Sequence, residues 1–176
     1  FLRRVLRSTS ASVRAQAAAS LLRSSVDRSD AASVLWDMAR SPHVIERDAA
    51  ARVLGRLPEQ LFPRLAASLL NDADSGVRFS AAYAAKNTSS ADAVLLLKAR
   101  LVAEYQASVL RQLCESLAAL GAQPTTEALL TKYERSRWKN ARQIAAAWLF
   151  LLGKTEYRNH SLYTGQGSPE SGHVSV

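Results

Sequence analysis

The sequence has a single cysteine, Cys114, and three histidines, so neither an intramolecular disulfide nor a zinc site of spaced Cys and His ligands can be built from it. His160 and His173 fall near the C-terminus and His43 follows Pro42, and no Ser, His and Asp or Cys and His arrangement emerges from that spacing. The reading is non-enzymatic, with no catalytic residue, metal ligand or cofactor assigned. Glycine (7) and proline (5) are scarce among 176 residues, too few punctuation points for a many-stranded sheet. No apolar run approaches the roughly 20 residues of a membrane helix, and no cleavable signal pattern opens the chain, so a cytoplasmic setting is expected.

What the chain has in abundance is alanine (31) and leucine (25), which favour helix nearly throughout. Laid against itself, the sequence repeats. SVRAQAAASLL at Ser12 to Leu22 matches GVRFSAAYAA at Gly76 to Ala85: an aliphatic residue, Arg, then small residues three and four positions on. Anchoring on the arginine gives Arg14, Arg47, Arg78, Arg111 and Arg142, separated by 33, 31, 33 and 31 residues. Near-constant spacing with recurring neighbours is the mark of an array in which each unit is one supersecondary element. Each unit divides into an A helix and a B helix. The A helices are predicted over Asp30 to Arg40, Glu59 to Asn71, Ser90 to Tyr105 and Thr125 to Arg135, with a remnant over Phe1 to Arg7. The B helices hold the arginines, and Gly55, Gly121 and Gly153 suit left-handed caps at three of their ends. Pro63 must kink its A helix or begin it. Small residues after each arginine allow a neighbouring helix to approach closely, while Leu21, Leu54 and Leu149 supply apolar volume.

The pattern resembles HEAT-type repeats of the short bacterial kind, LLxDxDxxVRxxAAxxL. LLNDADSGVRFSAAYAA at Leu69 to Ala85 places Leu69, Leu70, Asp72, Asp74, Val77, Arg78, Ala81 and Ala82 at the family's positions. The resemblance spans about residues 1–153. It implies an all-α, right-handed α-solenoid of five stacked antiparallel helix pairs, the first incomplete, that acts as an interaction scaffold. It also implies that a loop aspartate engages the B-helix arginine, which selects Asp72 or Asp74 for Arg78 and leaves the other arginines without an obvious partner. Residues 154–176, rich in Ser and Gly and lacking helical period, read as a polar tail, flexible or docked through Tyr157, Leu162 and Tyr163.

Solenoids of this kind line their concave side with B helices. One and five residues past the arginines stand Asp48 and Arg52, Phe79 and Tyr83, Gln112 and Ser116, and Gln143 with Ala147. This row is the candidate protein-binding surface, with the two aromatics as anchors. The charge of +8 is concentrated in Arg3, Arg4, Arg7 and Arg14 at one end and Lys132, Arg135, Arg137, Lys139 and Arg142 at the other. Trp138 interleaves the second cluster, which offers an alternative: nucleic-acid binding through phosphate contacts and base stacking at the basic ends. Phe1 in place of Met, and the apolar last helix at Trp148 to Leu152, lead us to expect a piece of a larger multidomain protein capable of self-association through that last repeat.

Overall fold

A computed structural model of the chain describes residues 2–24 and 28–160. Regular structure among them is entirely helical: α1 (Leu2–Val5), α2 (Ala11–Arg23), α3 (Arg28–Ala39), α4 (Val44–Arg52), α5 (Phe62–Leu70), α6 (Ser75–Ala85), α7 (Asp92–Ala103), α8 (Ala107–Ala119), α9 (Thr126–Arg135) and α10 (Lys139–Leu151). Short 3₁₀ turns occupy Leu54–Arg56 and Thr155–His160. The predicted A helices appear as α3, α5, α7 and α9, and the N-terminal remnant as α1. Pro63 begins its helix: it stands in the first turn of α5, where its missing N–H has no intrahelical partner to lose.

The chain divides into two compact units, Phe1–Gln123 and Pro124–Val176, so the boundary falls within the span where a single array over 1–153 is expected. In the first unit α2, α4, α6 and α8 pack in succession, as do α3, α5 and α7, and sequence-adjacent helices pack between the two rows. Small side chains make this possible. Ala17, Ala18, Ala50, Ala51, Ala81, Ala82 and Cys114 are all buried, and the core is filled by Leu22, Leu35, Leu54, Leu65, Leu69, Leu97 and Leu113. Each such leucine contributes about 1.5–3 kcal/mol by leaving water. In the second unit α9 packs on α10, and the Thr155–His160 turn packs on α10 as well. There Tyr157 meets the Tyr133 ring edge-on at 4.9 Å, so the start of the predicted tail is docked. Leu162 and Tyr163 lie outside the described residues.

Two of the three glycines cap as expected. Gly121 and Gly153 have φ of 70° and 87°. Around Gly121, Ala122 N–H donates to the Leu117 carbonyl and Gly121 N–H to that of Ala118, a Schellman closure. Gly55 differs. It lies within a 3₁₀ turn, and its hydrogen is required by contact: a Cβ there would run into the Ala84 carbonyl oxygen on α6.

The helix starts define the repeat more sharply than the arginines do. The N-caps of the B helices are Ser10, His43, Asp74, Gln106 and Trp138. Their carbonyls accept from the amides of Arg14, Arg47, Arg78, Leu110 and Arg142, four residues on. The fourth arginine position is therefore filled by Leu110, fully buried, and Arg111 stands one residue out of frame and exposed.

The same frame exposes a turn that recurs at every A-to-B connection. Six residues before the frame position stand Ser8, Ser41, Asp72, Glu104 and Ser136. Each side-chain oxygen accepts from the N–H two residues ahead: Ser10 at 3.2 Å, His43 at 3.1 Å, Asp74 at 2.9 Å, Gln106 at 2.8 Å and Trp138 at 3.2 Å. The arginine then reaches back to carbonyls of that turn. Arg14 donates to Ser8 and Thr9, Arg47 to Ser41 and Pro42, Arg78 to Asp72 and Ala73, and Arg142 to Ser136.

In Arg14, Arg47 and Arg78 the remaining guanidinium N–H groups reach forward, which corrects the expected pairing. Asp72 belongs to Arg47 of the preceding repeat, at 2.7 and 3.1 Å. Asp74 caps α6, accepting from Gly76 and Val77. Arg78 pairs with Glu104 at 2.8 and 3.2 Å. Arg14, expected to lack a partner, pairs with Glu46. A planar fork presenting five donors can serve carbonyls on one side and a carboxylate on the other, which lysine cannot do.

Candidate binding surface

Glu104 is the most heavily bonded side chain of this network and only 1% exposed. Besides Arg78 it accepts from Arg100 at 2.9 and 3.1 Å and from the amides of Tyr105 and Gln106. Burial alone would raise its carboxyl, but Arg78, the Gln106 amide and Arg100 together hold it below the ordinary carboxylate range. Asp72 is likewise held low: burial opposes it, and the Arg47 fork and Asp74 amide outweigh burial. Glu46 is lowered by hydrogen bonding from Ser41, against burial, with the Arg14 charge adding to the effect. These groups are committed to structure, so Arg14, Arg47 and Arg78 are unavailable as a free phosphate-binding line.

The predicted surface row separates into exposed and buried members. Phe79 and Tyr83 are 38% and 50% exposed, one turn apart on α6. Lys86 places its ammonium 3.8 Å from the Tyr83 ring centroid. On the adjacent α4, Asp48 pairs with exposed Arg52 at 2.7 Å and accepts from Ser80 Oγ of α6 at 2.6 Å, which joins the two helices.

Gln112 and Ser116 are not on the surface. Both are buried, Gln112 donating to Ser116 Oγ at 3.1 Å and Ser116 to the Ala82 carbonyl at 2.8 Å. The reason is the one-residue displacement of Arg111. Counting from Leu110 moves the outward pair to Arg111 and Glu115, both exposed. Gln143, in the second unit, is half-buried.

The basic cluster of the second unit also divides. Arg135, Arg137, Trp138 and Lys139 are exposed, with the Arg137 guanidinium 4.9 Å from the Trp138 ring centroid. Lys132 is 1% exposed and so cannot meet a phosphate at the surface, and Arg142 donates to the Ser136 carbonyl. In α10, Leu149 is buried and Leu151 exposed, with Trp148, Phe150 and Leu152 half-buried. Cys114 is buried, and burial, followed by the nearby Glu115 charge, pushes its thiol far above the ordinary range.

Among the described residues no helix is long and apolar enough to cross a membrane, and no group of three His, Cys, Asp or Glu could hold a metal ion. No protein-family model matches the chain, and no curated protein shows significant similarity to it.

Proposed function

We propose that the first unit is a short right-handed α-solenoid of the HEAT-like kind, with α9 and α10 a further pair of the same type. Its function in this reading is to scaffold a protein partner on its B-helix face. One observation carries it: Phe79 and Tyr83 stand exposed in the middle of the α2, α4, α6, α8 succession. They are flanked by Asp48 and Arg52 on one side and by Arg111 and Glu115 on the other. Aromatic anchors within a mixed-charge rim are the composition that protein interfaces concentrate.

A second reading, nucleic-acid binding, is favoured by the exposed Arg135, Arg137, Trp138 and Lys139, and it is weakened by the burial of Lys132. The two separate experimentally. Immobilised chain is challenged with cell lysate and, independently, with labelled single-stranded and duplex oligonucleotides at low and near-physiological salt. The scaffold reading expects defined proteins retained at both salt levels, lost on Phe79→Ser with Tyr83→Ser, and kept by an Arg135→Glu, Arg137→Glu, Lys139→Glu variant. Oligonucleotide binding that survives near-physiological salt and disappears in the triple variant would replace it with the nucleic-acid reading.

A further inference from the structure

On the other helix row, Trp36 of α3 is contacted by two guanidinium groups. Arg40, in the turn just past the end of α3, places Cζ 5.1 Å from the ring centroid, and Arg64 of the adjacent α5 places it at 5.3 Å. The two charges thus stand within about 10 Å of one another, comparable to the Debye length at 0.1 M salt. The other arginines bonded in the first unit's ion pairs (Arg14, Arg47, Arg52, Arg78 and Arg100) each end on a carboxylate. Arg40 and Arg64 do not. Both are exposed, neither forms an ion pair among the described residues, and Asp37, next to Trp36 in sequence, pairs with neither. The Trp36 indole N–H likewise bonds to no acceptor among the described residues.

We propose that Trp36, Arg40 and Arg64 form a binding site for a phosphate monoester dianion. The three side chains supply donors, two five-N–H forks and an indole N–H, and Arg40 borders a cavity that Asp37 and Glu46 also line. Stacking on the indole restrains both arginines, so less rotamer freedom is lost when a ligand is bound. Charge selects the ligand. A carboxylate neutralises one guanidinium, whereas a phosphate monoester at neutral pH carries close to two negative charges and three acceptor oxygens, matching both forks. The dianion can come from a phosphorylated side chain of a partner or from free phosphate, and the site is independent of the Phe79 and Tyr83 surface.

The test uses the full ¹⁵N-labelled chain, following the indole N–H signals, with that of Trp36 assigned from Trp36→Phe. Inorganic phosphate, a phosphoserine peptide and its serine and glutamate counterparts are titrated at ionic strength fixed with chloride. A saturable shift of the Trp36 signal by phosphate or phosphopeptide is expected. Arg40→Gln or Arg64→Gln should each weaken it roughly tenfold, and the double variant should abolish it. Tighter binding of the phosphopeptide assigns the ligand to a protein side chain, and equal affinity assigns it to free phosphate. The proposal is overturned by no saturable shift up to about 20 mM phosphate, by equal response to chloride, by a glutamate peptide binding as well as the phosphopeptide, or by a response unchanged in the double variant. Both arginines are exposed, so these substitutions leave the core intact, and an unchanged melting curve checks this.

Discussion

Replacing Glu104 by glutamine removes one charge and almost no volume from a buried carboxylate that accepts six hydrogen bonds, four from Arg78 and Arg100 and two from backbone amides. The amide retains one acceptor oxygen and presents an NH₂ group to donors, so part of the Arg78 and Arg100 forks loses its acceptor. Both arginine side chains are largely buried, 12% and 14% exposed, and water cannot fully substitute. Breaking a buried pair at one partner costs about 3–5 kcal/mol, a large share of the roughly 5–15 kcal/mol that stabilises a typical domain. Asp48→Asn, which breaks the pair with exposed Arg52, serves as the control and should cost about 1 kcal/mol or less. Equilibrium unfolding in urea, which leaves ion pairs unscreened, followed by far-UV circular dichroism, measures both. The pH dependence gives a second reading. Because the folded-state carboxyl lies below its ordinary value near 4.5, the unfolded chain binds the proton more readily, and stability is full above that value and declines as pH falls through the folded one. In Glu104→Gln the part of the acid slope due to this residue disappears, while those due to Asp72 and Glu46 remain. A cost for Glu104→Gln no greater than that of Asp48→Asn would refute the account of the arginine network as a principal link between repeats.

Leu110 and Leu113 are both fully buried, so Leu110→Arg, although it returns the repeating residue to the fourth frame position, buries a charge in the core just as Leu113→Arg does, and urea titration should show a loss of more than about 3 kcal/mol for each. Gly55→Ala should lower the melting temperature more than Gly121→Ala. The first forces a backbone oxygen aside, and the second meets open space and incurs only the positive-φ strain of about 1 kcal/mol. Cys114 should resist a thiol reagent at neutral pH in the native chain and react at the rate of global opening, so its labelling should track urea concentration. Fast labelling in native buffer would contradict its burial.

The helical class, the A and B alternation and four of the five frame arginines were legible because period and spacing are properties of sequence. The surface row was only partly so. Anchoring on arginine failed where Leu110 replaced it, and that one-residue slip carried Gln112 and Ser116 from the interior onto a predicted face. The apolar residues at Val109, Leu110, Leu113 and Leu117 mark the correct register and were outweighed by a conspicuous charge. Lys132 was misplaced for a related reason: a basic residue in a basic segment looks solvated, and its burial depends on tertiary packing. The forward ion pairs were hidden because the carboxylate lies 25 to 32 residues from its arginine and varies between Asp and Glu and between two turn positions. A signal did exist in the oxygen-bearing column Ser8, Ser41, Asp72, Glu104 and Ser136, which is as periodic as the arginines and chemically more constant in its role.

The direction of these pairs matters at the ribosome. Arg14, Arg47 and Arg78 bond carbonyls of the turn translated just before them, whereas their carboxylates are translated 25 to 32 residues later. At typical elongation rates that delay is roughly one to six seconds. During synthesis the leading end of the growing array therefore always displays one guanidinium awaiting its counter-charge, and each new repeat both quenches that charge and, where it carries an arginine, presents the next. At the fourth repeat Leu110 supplies none, and this relay of exposed charge ends there.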